Sequence, residues 1–354
     1  MAGLTGFSYY KEITISTTNC DADLTNFPVY IPIVNDADIG GECLATGYDI
    51  QFADATNDNV LTFERLAGFA VSSGQANGDF YVLVPTVAGA ADTVIRCYYK
   101  KTGATDASSP TGTFATANGW TAVWHMEEAP ASVLDATTNN MDVTSVTSDP
   151  ASVDGKIGKG VDFDTDDNMI IQDGCPTILT YPGTIEFWYK ETGTMPQWAR
   201  FFCNPSGTFV INKNGSGTTT LGFQLGTNLR SITPITSIWG GAWHHCLITY
   251  TTLPSAPYGR FTFFHNGVEE GYVLNSDSLP DLTSEDFIIS GADSGYTCFG
   301  TCDEIRVSNE ARTATYAKFN FYNSHDGHAA GNELGWGAEQ GLAVAYVQQV
   351  IMVM

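Results

Sequence analysis

Residues 1–100 alternate between short apolar segments and turn residues, with the two-residue period of β-strands. Gly, Asn, Asp or Pro separates each segment from the next, as is typical of strands joined by tight connections. Pro28 and Pro32 lie within the second segment, which predicts an edge strand because proline cannot donate a ladder hydrogen bond. The pattern predicts a β-sandwich over residues 1–100. Its six segments are YKEITIST, FPVYIPIV, YDIQFAD, VLTFERL, GDFYVLVP and DTVIRCYYK.

The strand pattern breaks at residues 101–118 and then resumes. The break, KTGATDASSPTGTFATAN, has no periodicity and predicts a linker between two domains. The eleven strand segments that follow predict a two-sheet jelly roll over residues 119–325. Within it, the Asn-Gly pair of residues 266–267 between two apolar runs is the signal of a tight hairpin. Helical spacing is found in residues 309–323, which predicts a short C-terminal helix.

Residues 326–354 follow neither pattern and form an apolar tail. From Gln340 onward the chain carries no charge and is rich in Val, Ala and Met. A run of about 15 residues is shorter than the roughly 18 residues that a membrane-spanning helix needs. Because an uncovered segment of this kind aggregates, we expect the tail to pack on its own domain or to dock on another chain as an assembly arm.

The charge balance narrows the possible partners. The chain has 39 acidic residues against 15 lysines and arginines, which gives a formal net charge of −24. Such a surface repels polyanions and anionic bilayers. We therefore expect neither a nucleic-acid partner nor membrane insertion.

The cysteines and the first residues bear on where the chain folds. The eight cysteines are scattered and form no CxxC pair, which predicts buried free thiols in a reducing cytosol. A bridge between Cys298 and Cys302 across a hairpin is the alternative. The start, MAGLTGFSYYKEITI, has neither a basic nor an apolar leader region, so we expect no secretory signal peptide.

The second domain contains, in this order, the segments VWHMEEAP, GKIGKGVDFDTDDNMIIQ, GTIEFWYK, AWHHCLITY, FHNGVEEG and CDEIRVSNEART. These six segments resemble LamG-like members of the concanavalin A-like lectin/glucanase superfamily. The resemblance implies a jelly-roll sandwich with a lectin-like role. The first domain contains YYKEITI, NFPVYIPI, GYDIQFAD, LTFE and FYVLVPTV, through which it is similar to a bacterial and phage domain family of unknown function.

Because this superfamily contains glycosidases, an enzymatic function has to be tested. Retaining glycosidases need two carboxylates about 5 Å apart, and the E-x-D-x-E string of laminarinase-like relatives does not occur here. In a strand, Glu127 and Glu128 face opposite ways, as do His244 and His245. We expect these histidines in the core or on a sheet surface, and we expect no enzymatic activity.

The sequence nevertheless suggests two kinds of binding site. The resemblance implies a calcium ion at the sandwich rim, near Asp162, Asp164 and Asp303, although an Asp-rich turn is also compatible with simple solvation. Sugar binding requires exposed aromatic rings with hydrogen-bonding groups nearby. The candidates in predicted loops are Trp198, Tyr258 and Tyr296, for which plain packing or an interface role is the alternative.

A chain that folds in a cytosol and carries a lectin sandwich is typical of a bacteriophage virion component. We therefore expect a non-enzymatic structural protein, tail-associated or a capsid decoration, folded in the host cytoplasm and displayed on the particle exterior. Its partners would be other virion subunits, with a homo-oligomer formed through the C-terminal tail, and host surface glycans bound weakly by many copies. The alternative is a bacterial secreted or cell-surface polysaccharide-binding adhesin module.

Overall fold

The protein folds into four antiparallel β-sheets that form two sandwiches. The computed structural model describes residues 3–215, 220–233, 235–255, 259–291, 295–325 and 334–342. Strands are numbered β1 to β25 in chain order. This all-β architecture, with a short helix after the second sandwich, is the fold class that the sequence predicts.

The first sandwich packs a six-stranded sheet on a four-stranded sheet. Across their shared core, Ile13 and Phe52 of one sheet meet Val29 and Phe80 of the other. The larger sheet comprises β1 (Phe7–Ile15), β3 (Gln51–Asp54), β4 (Val60–Leu61), β8 (Thr93–Lys101), β24 (Leu334–Trp336) and β25 (Gln340–Gly341). The smaller comprises β2 (Leu24–Asp36), β5 (Phe63–Arg65), β6 (Ala70–Ser72) and β7 (Gln75–Val87).

The strand orders of these sheets test the edge prediction. The larger sheet runs β24–β1–β8–β3–β4, with β25 also beside β1, and the smaller runs β2–β7–β5, with β6 beside β7. Strand β2 carries Pro28 and Pro32 and lies at an edge, which confirms the prediction. A helix not predicted from the sequence, α1 (Ala37–Glu42), follows β2 because the Asp36 carboxylate caps it, accepting the Ile39 N–H at 2.9 Å.

One sheet of the second sandwich has eight strands in the order β11–β12–β23–β14–β19–β20–β21, with β9 beside β23. The predicted hairpin joins β20 to β21, with Asn266 and Gly267 at φ 49° and 78°. The strands are β9 (Trp120–Trp124), β11 (Ala151–Asp154), β12 (Lys159–Phe163), β14 (Gly183–Glu191), β19 (His244–Thr252), β20 (Gly259–His265), β21 (Val268–Asn275) and β23 (Gly300–Ser308).

The other sheet of this sandwich has seven strands in the order β10–β13–β22–β15–β16–β17–β18. Large rings from both sheets, among them Trp124, Phe187, Phe263 and Phe287, fill the space between them. The strands are β10 (Ser145–Thr147), β13 (Asn168–Ile171), β15 (Arg200–Cys203), β16 (Phe209–Lys213), β17 (Leu221–Leu225), β18 (Leu229–Ile232) and β22 (Phe287–Ile289).

Helices are short and serve as connections. The segment 101–118, expected to be a linker, carries α2 (Pro110–Thr113) and a 3-10 turn (Thr116–Asn118). Its Phe114 is fully buried, with the rings of Tyr81 and Trp120 each 5.4 Å from its own. The remaining helices are a 3-10 turn (Pro130–Ser132), α3 (Cys175–Ile178) and α4 (Ala314–His325).

Helix α4 is the predicted C-terminal helix, and it begins five residues later than the sequence pattern indicates. Its start follows Thr313, whose hydroxyl accepts the Tyr316 N–H at 3.2 Å. The helix packs between the two sandwiches, where its Phe319 ring lies 5.1 Å from that of Phe27. None of the described helices is long and apolar enough to cross a membrane.

Residues 334–342 of the tail lie along the first sandwich. In β24, Leu334 and Trp336 pair with Ile15 and Ile13 of β1. Strand β25 pairs with the same strand at Tyr9 and Tyr10. The Glu339 carboxylate, between the two short strands, accepts a hydrogen bond of 2.8 Å from the hydroxyl of Tyr99. Residues 326–333 and 343–354, which include most of the predicted assembly arm, lie outside the described residues.

Candidate functional site

Two of the predicted sugar-binding aromatics lie together in one open cleft on the outer face of the seven-stranded sheet. Trp198 comes from the loop before β15 and Tyr296 from the connection between β22 and β23. The third candidate, Tyr258, lies outside the described residues. The cleft has a volume of about 290 Å³ and is lined by Trp198, Arg200, Gly207, Val210, Asn212, Gln224, Leu229 and Tyr296.

The floor of the cleft follows from strand alternation. In β16, Ile211 enters the core between the sheets, whereas its neighbours Val210 and Asn212 face outward. Strand pairing then places Arg200 opposite Asn212 and Gln224 opposite Val210. Polar side chains from three consecutive strands therefore reach the same patch of the outer face.

Asn212 contributes a hydrogen-bond acceptor that the protein itself does not use. Its side chain is buried, and among the described residues its Oδ1 has no hydrogen-bond partner. The opposite residue on β17 is Gly222, on which a Cβ atom would overlap this oxygen. A buried acceptor without a partner is costly. Because this oxygen has almost no accessible surface, a ligand hydroxyl would recover that cost only after the amide turns towards the cleft.

Trp198 holds an unusual backbone conformation at the rim. Its φ is 69°, in the left-handed region that bulky side chains rarely adopt. The side chain is nevertheless 39% exposed, so burial of the ring does not compensate for the strain in full. Strained residues of this kind cluster at ligand-binding sites.

Arg200 and Tyr296 are held against each other by their backbones and side chains. The Arg200 N–H donates to the Tyr296 carbonyl at 2.7 Å. Arg200 also forms an isolated parallel β-bridge with Thr297. The guanidinium carbon lies 4.6 Å from the centre of the Tyr296 ring, which is a cation–π contact. Sequence reasoning missed Arg200, Asn212 and Gln224, because an outward polar residue in a strand has no local signal beyond ordinary surface.

The cleft combines what sugar recognition requires. An exposed indole ring offers a face for the apolar side of a sugar, and amide and guanidinium groups offer acceptors and donors for hydroxyls. The described residues that line it include no carboxylate. The arrangement therefore offers the groups that binding of a sugar needs.

The three predicted calcium ligands have different hydrogen-bond partners. Asp162 Oδ1 accepts hydrogen bonds from the hydroxyls of Thr192 and Thr301, at 3.0 and 2.9 Å. Asp303 is fully buried, and its Oδ2 accepts the backbone N–H groups of residues 156 and 157. Asp164 lies in the turn after β12. In the ranges that the structure covers, no three acidic, histidine or cysteine side chains converge as metal ligands.

Charged residues that the sequence did not single out meet in the seam between the two sandwiches. Glu304 receives hydrogen bonds from Tyr81 at 3.0 Å, from Arg306 at 2.6 Å and from His125 at 2.8 Å. The other nitrogen of His125 lies 3.2 Å from Glu64. We call these five residues the seam network. Its members are up to about two thirds of the chain apart, from Glu64 to Arg306, so no local sequence pattern indicates the network.

Protonation states in the seam network follow from these contacts. Burial alone would raise the pKa of Glu304, but His125 and Arg306 outweigh it and lower this pKa to about 2. Burial alone would likewise lower the pKa of His125, but Glu304 and Glu64 hold it well above its ordinary value. The imidazole therefore carries a proton and donates from both nitrogens.

A second cleft of about 310 Å³ opens beside this network and is lined in part by Glu64, His125 and Glu127. Burial is the main cause that raises the pKa of Glu127, to about 7, and the nearby Glu304 adds to it. Its carboxylate accepts the Lys159 N–H at 3.3 Å. Glu127 thus changes charge near neutral pH.

The adjacent histidines occupy different environments, as the strand alternation predicts. His245 is buried in the seam, where its Nε2 lies 3.2 Å from the Asn320 amide nitrogen. Burial and the nearby Arg306 lower its pKa to about 3, so its ring is neutral. His244 is half-buried and hydrogen-bonds His265 at 2.9 Å. Both are packing residues of the sheet.

The cysteines are all free thiols. Seven of the eight are buried, and Cys43 is half-buried. Cys298 and Cys302 contact each other through their thiols without forming the bridge considered from the sequence. This confirms the prediction of buried free thiols.

Comparison with known proteins adds a family match for the second sandwich. Residues 163–316 match the model of a family described as the concanavalin A-like lectin/glucanases superfamily. A search of curated proteins finds no match.

Among solved structures, the chain is similar to domain 4 of an extracellular arabinanase from Geobacillus stearothermophilus in complex with arabinotriose. The two are 20% identical with a TM-score of 0.46, over 56% of this chain and 97% of the other. It is also similar to the binding domain of Paraclostridial Mosquitocidal Protein 1, with 15% identity and a TM-score of 0.45, over 58% of this chain and 52% of the other.

A botulinum neurotoxin DC binding domain in complex with SialylT is 9% identical, with a TM-score of 0.45, over 59% of this chain and 52% of the other. The chain thus spans about half the length of these toxin domains. The family match and the observed two-sheet sandwich together support a concanavalin A-like lectin/glucanase domain at residues 163–316.

Proposed function

We propose that the protein is a non-enzymatic glycan-binding protein and that the cleft lined by Trp198 and Tyr296 is its binding site. One observation carries the proposal. Two loop aromatics from segments far apart in sequence line one open cleft together with a buried amide oxygen that lacks a partner among the described residues. Plain packing would not account for an exposed, strained tryptophan beside an unsatisfied acceptor.

In this proposal each side chain has a distinct part. The Trp198 ring stacks on the apolar face of one sugar ring. A sugar hydroxyl donates to Asn212 Oδ1, while Gln224 and Arg200 offer further hydrogen bonds. The contact area is small, so a single site binds weakly and becomes effective when many copies act together.

A glycan array followed by calorimetry tests the site. Trp198→Ala and Asn212→Ala should each weaken binding to the selected glycan about tenfold or more, since about 1.4 kcal/mol corresponds to tenfold in affinity. Tyr272→Ala is the matched control, because Tyr272 is an exposed ring that also lies under an arginine, Arg260 at 5.1 Å, outside the cleft. Equal affinity of Trp198→Ala and the unaltered protein would refute the site.

We also propose, as the setting of this activity, that the protein is a bacteriophage virion component displayed on the particle exterior. The eight free thiols support folding in a reducing cytosol, and a virion supplies the copies that a weak site needs. A bacterial secreted or cell-surface adhesin module is the alternative. Light scattering on the full chain discriminates between them, because the virion proposal expects an oligomer formed through the tail.

Two shortened chains sharpen this measurement. A chain that ends at Leu342 keeps both tail strands on β1 and removes only residues 343–354, whereas one that ends at Asn332 also removes β24 and β25. We expect the full chain to oligomerise and the chain ending at Leu342 to be a monomer of unchanged stability. If the full chain is a monomer as well, the prediction of an assembly arm is wrong, and the result favours the adhesin alternative.

Calcium binding remains a separate prediction. Asp303 is fully buried and accepts three backbone N–H groups. We therefore expect an ion to use Asp164 and the second oxygen of Asp162. Thermal unfolding with excess Ca²⁺ and with a chelator should differ if an ion binds the folded state. Identical curves would contradict the prediction.

A further inference from the structure

We infer that the glycan bound in the cleft carries a carboxylate and that Arg200 is the residue that recognises it. The inference rests on the proposed function and names the class of ligand: sugars with a carboxylic acid group, such as uronic or sialic acids, rather than neutral sugars.

The charge of the cleft is the first argument. The chain has 39 acidic residues against 15 basic ones, yet the described residues that line the cleft include one arginine and no acidic side chain. A patch that merely followed the composition of the protein would be acidic. The positive charge therefore distinguishes this cleft from its surroundings, and it favours an anionic ligand.

The pairing of Arg200 is the second argument. Among the seven arginines of the chain, Arg200 and Arg260 form no ion pair within the part of the chain that the structure describes. Arg260 lies on the exposed side of β20, over Tyr272, whereas Arg200 is half-buried at a concave site. The other arginines each have a carboxylate within 3.2 Å: Arg65, Arg96, Arg230, Arg306 and Arg312.

The geometry of Arg200 is the third argument. Its backbone is tied to Tyr296 by a hydrogen bond of 2.7 Å, and its guanidinium stacks on the Tyr296 ring. The guanidinium carbon lies over the ring, and among the described residues none accepts a hydrogen bond from the N–H donors of this side chain. A guanidinium edge matches a carboxylate with two parallel hydrogen bonds. The side chain is therefore positioned before the ligand arrives, which lowers the entropy cost of binding.

The ligand preference is tested with pairs of probes that differ in one charge. We would measure binding of uronic-acid oligosaccharides with free carboxylates and of the same oligosaccharides as methyl esters, and of sialylated glycans with their desialylated counterparts. We expect the full-length protein to bind the free acid about tenfold or more tightly than the ester, as charge-assisted hydrogen bonds are the stronger kind.

Variants of Arg200 assign this preference to its side chain. Arg200→Gln should abolish the discrimination between acid and ester. Arg200→Lys should retain part of it, because lysine keeps the positive charge but lacks the paired N–H donors of the guanidinium. Arg260→Gln is the matched control and should leave the preference unchanged. Melting curves of each variant establish that the fold is intact, and partial rescue by lysine separates a role in recognition from a purely structural one.

The outcomes separate this inference from the proposed function. Equal binding of acid and ester, or a preference that survives in Arg200→Gln, overturns the inference, while binding that still depends on Trp198 leaves the proposed function standing. Binding that is unaffected by Trp198→Ala overturns the proposed function, and the inference falls with it.

Discussion

The outer-face cleft and the seam network hold polar groups in opposite ways. In the seam, Glu304 is nearly inaccessible to water, and three neighbouring side chains donate hydrogen bonds to it. In the cleft, the Asn212 oxygen has no partner among the described residues, and the Arg200 guanidinium stacks on a ring without an acid beside it. Groups of the first kind join two parts of a fold, whereas groups of the second kind remain available to a ligand.

This difference shows why burial of charge does not by itself mark a functional site. His125, Glu304 and Arg306 in the seam have shifted pKa values, a common property of active sites. Yet each charge there is met by an opposite charge from the other sandwich or the same sheet, as with Glu304 and His125. Mutations should therefore separate the two regions, with stability lost at the seam and binding lost at the cleft.

The largest effect is expected from Glu304→Ala. It leaves Arg306 and His125 buried without their shared carboxylate, and removing one partner of a buried ion pair costs about 3–5 kcal/mol. Denaturant unfolding measures the loss, and the folded fraction should bind glycan as before. If the variant does not fold, Glu304→Gln, which keeps an acceptor, should show a smaller loss. A loss under about 1 kcal/mol would contradict the structural role of the seam.

The same carboxylate predicts the acid limit of stability. Because the pKa of Glu304 is lowered to about 2, its contribution is present above the ordinary pKa of a glutamate and is lost as the pH falls towards about 2. Across this pH range, the difference in free energy of unfolding between the unaltered protein and Glu304→Gln should fall towards zero. A constant difference from pH 5 to pH 2 would contradict the assignment.

The next largest loss of stability is expected from Gly222→Ala in the cleft floor. The added Cβ overlaps Asn212 Oδ1, so the side chain must move, at a cost of about 1–3 kcal/mol. Glycan binding should be lost together with this stability. Gly41→Ala is the control, since nothing lies within 4 Å of a Cβ added there. Unchanged affinity in Gly222→Ala would show that Asn212 does not contact the ligand.

A smaller effect, a gain in stability instead of a loss, is expected from Glu127→Gln. Since the pKa of Glu127 is raised to about 7, its stabilising contribution is present below the ordinary glutamate pKa and is lost as the pH rises through 7. Near pH 8 the variant should be more stable than the unaltered protein by about 1 kcal/mol, allowing for the screening of a partly exposed group. At pH 5 the two should unfold alike.

The smallest effect on stability is expected from Trp198→Gly. Glycine adopts a φ of 69° without strain, and this gain offsets the loss of a ring that is 39% exposed. Unfolding should shift by no more than about 1 kcal/mol, while binding is lost. The buried Trp188, changed to Ala, should instead cost about 3–5 kcal/mol. A large loss in Trp198→Gly would make Trp198 a packing residue.

Much of the fold was predictable because strands and turns leave a pattern among residues that are close together in the sequence. The prolines of β2 indicated an edge, and residues 266–267 indicated a hairpin, both from neighbouring residues alone. The start of α4 was misplaced, since the Thr313 cap carries a weaker signal than the spacing of apolar residues before it. Helix α1 was missed because a six-residue helix has too few positions to show a period.

At the candidate site, the sequence indicated Trp198 and Tyr296, because large aromatics in loops are unusual. It did not indicate Asn212 or Arg200, since their roles depend on which strands pair and which side of the sheet stays open. The calcium candidates show the converse. The family resemblance implied Asp303 as a calcium ligand, and its strand places one of its carboxylate oxygens against two backbone N–H groups.

The sequence by itself determined the two sandwiches, the alternation of inward and outward side chains and the aromatic residues of the cleft, because each depends on residues a few positions apart. Only the tertiary structure decided that Trp198, Asn212 and Tyr296 line one cleft, and that Glu304 contacts His125 across the seam. Those meetings depend on the register between distant strands and on the packing of whole sheets, for which no local period exists.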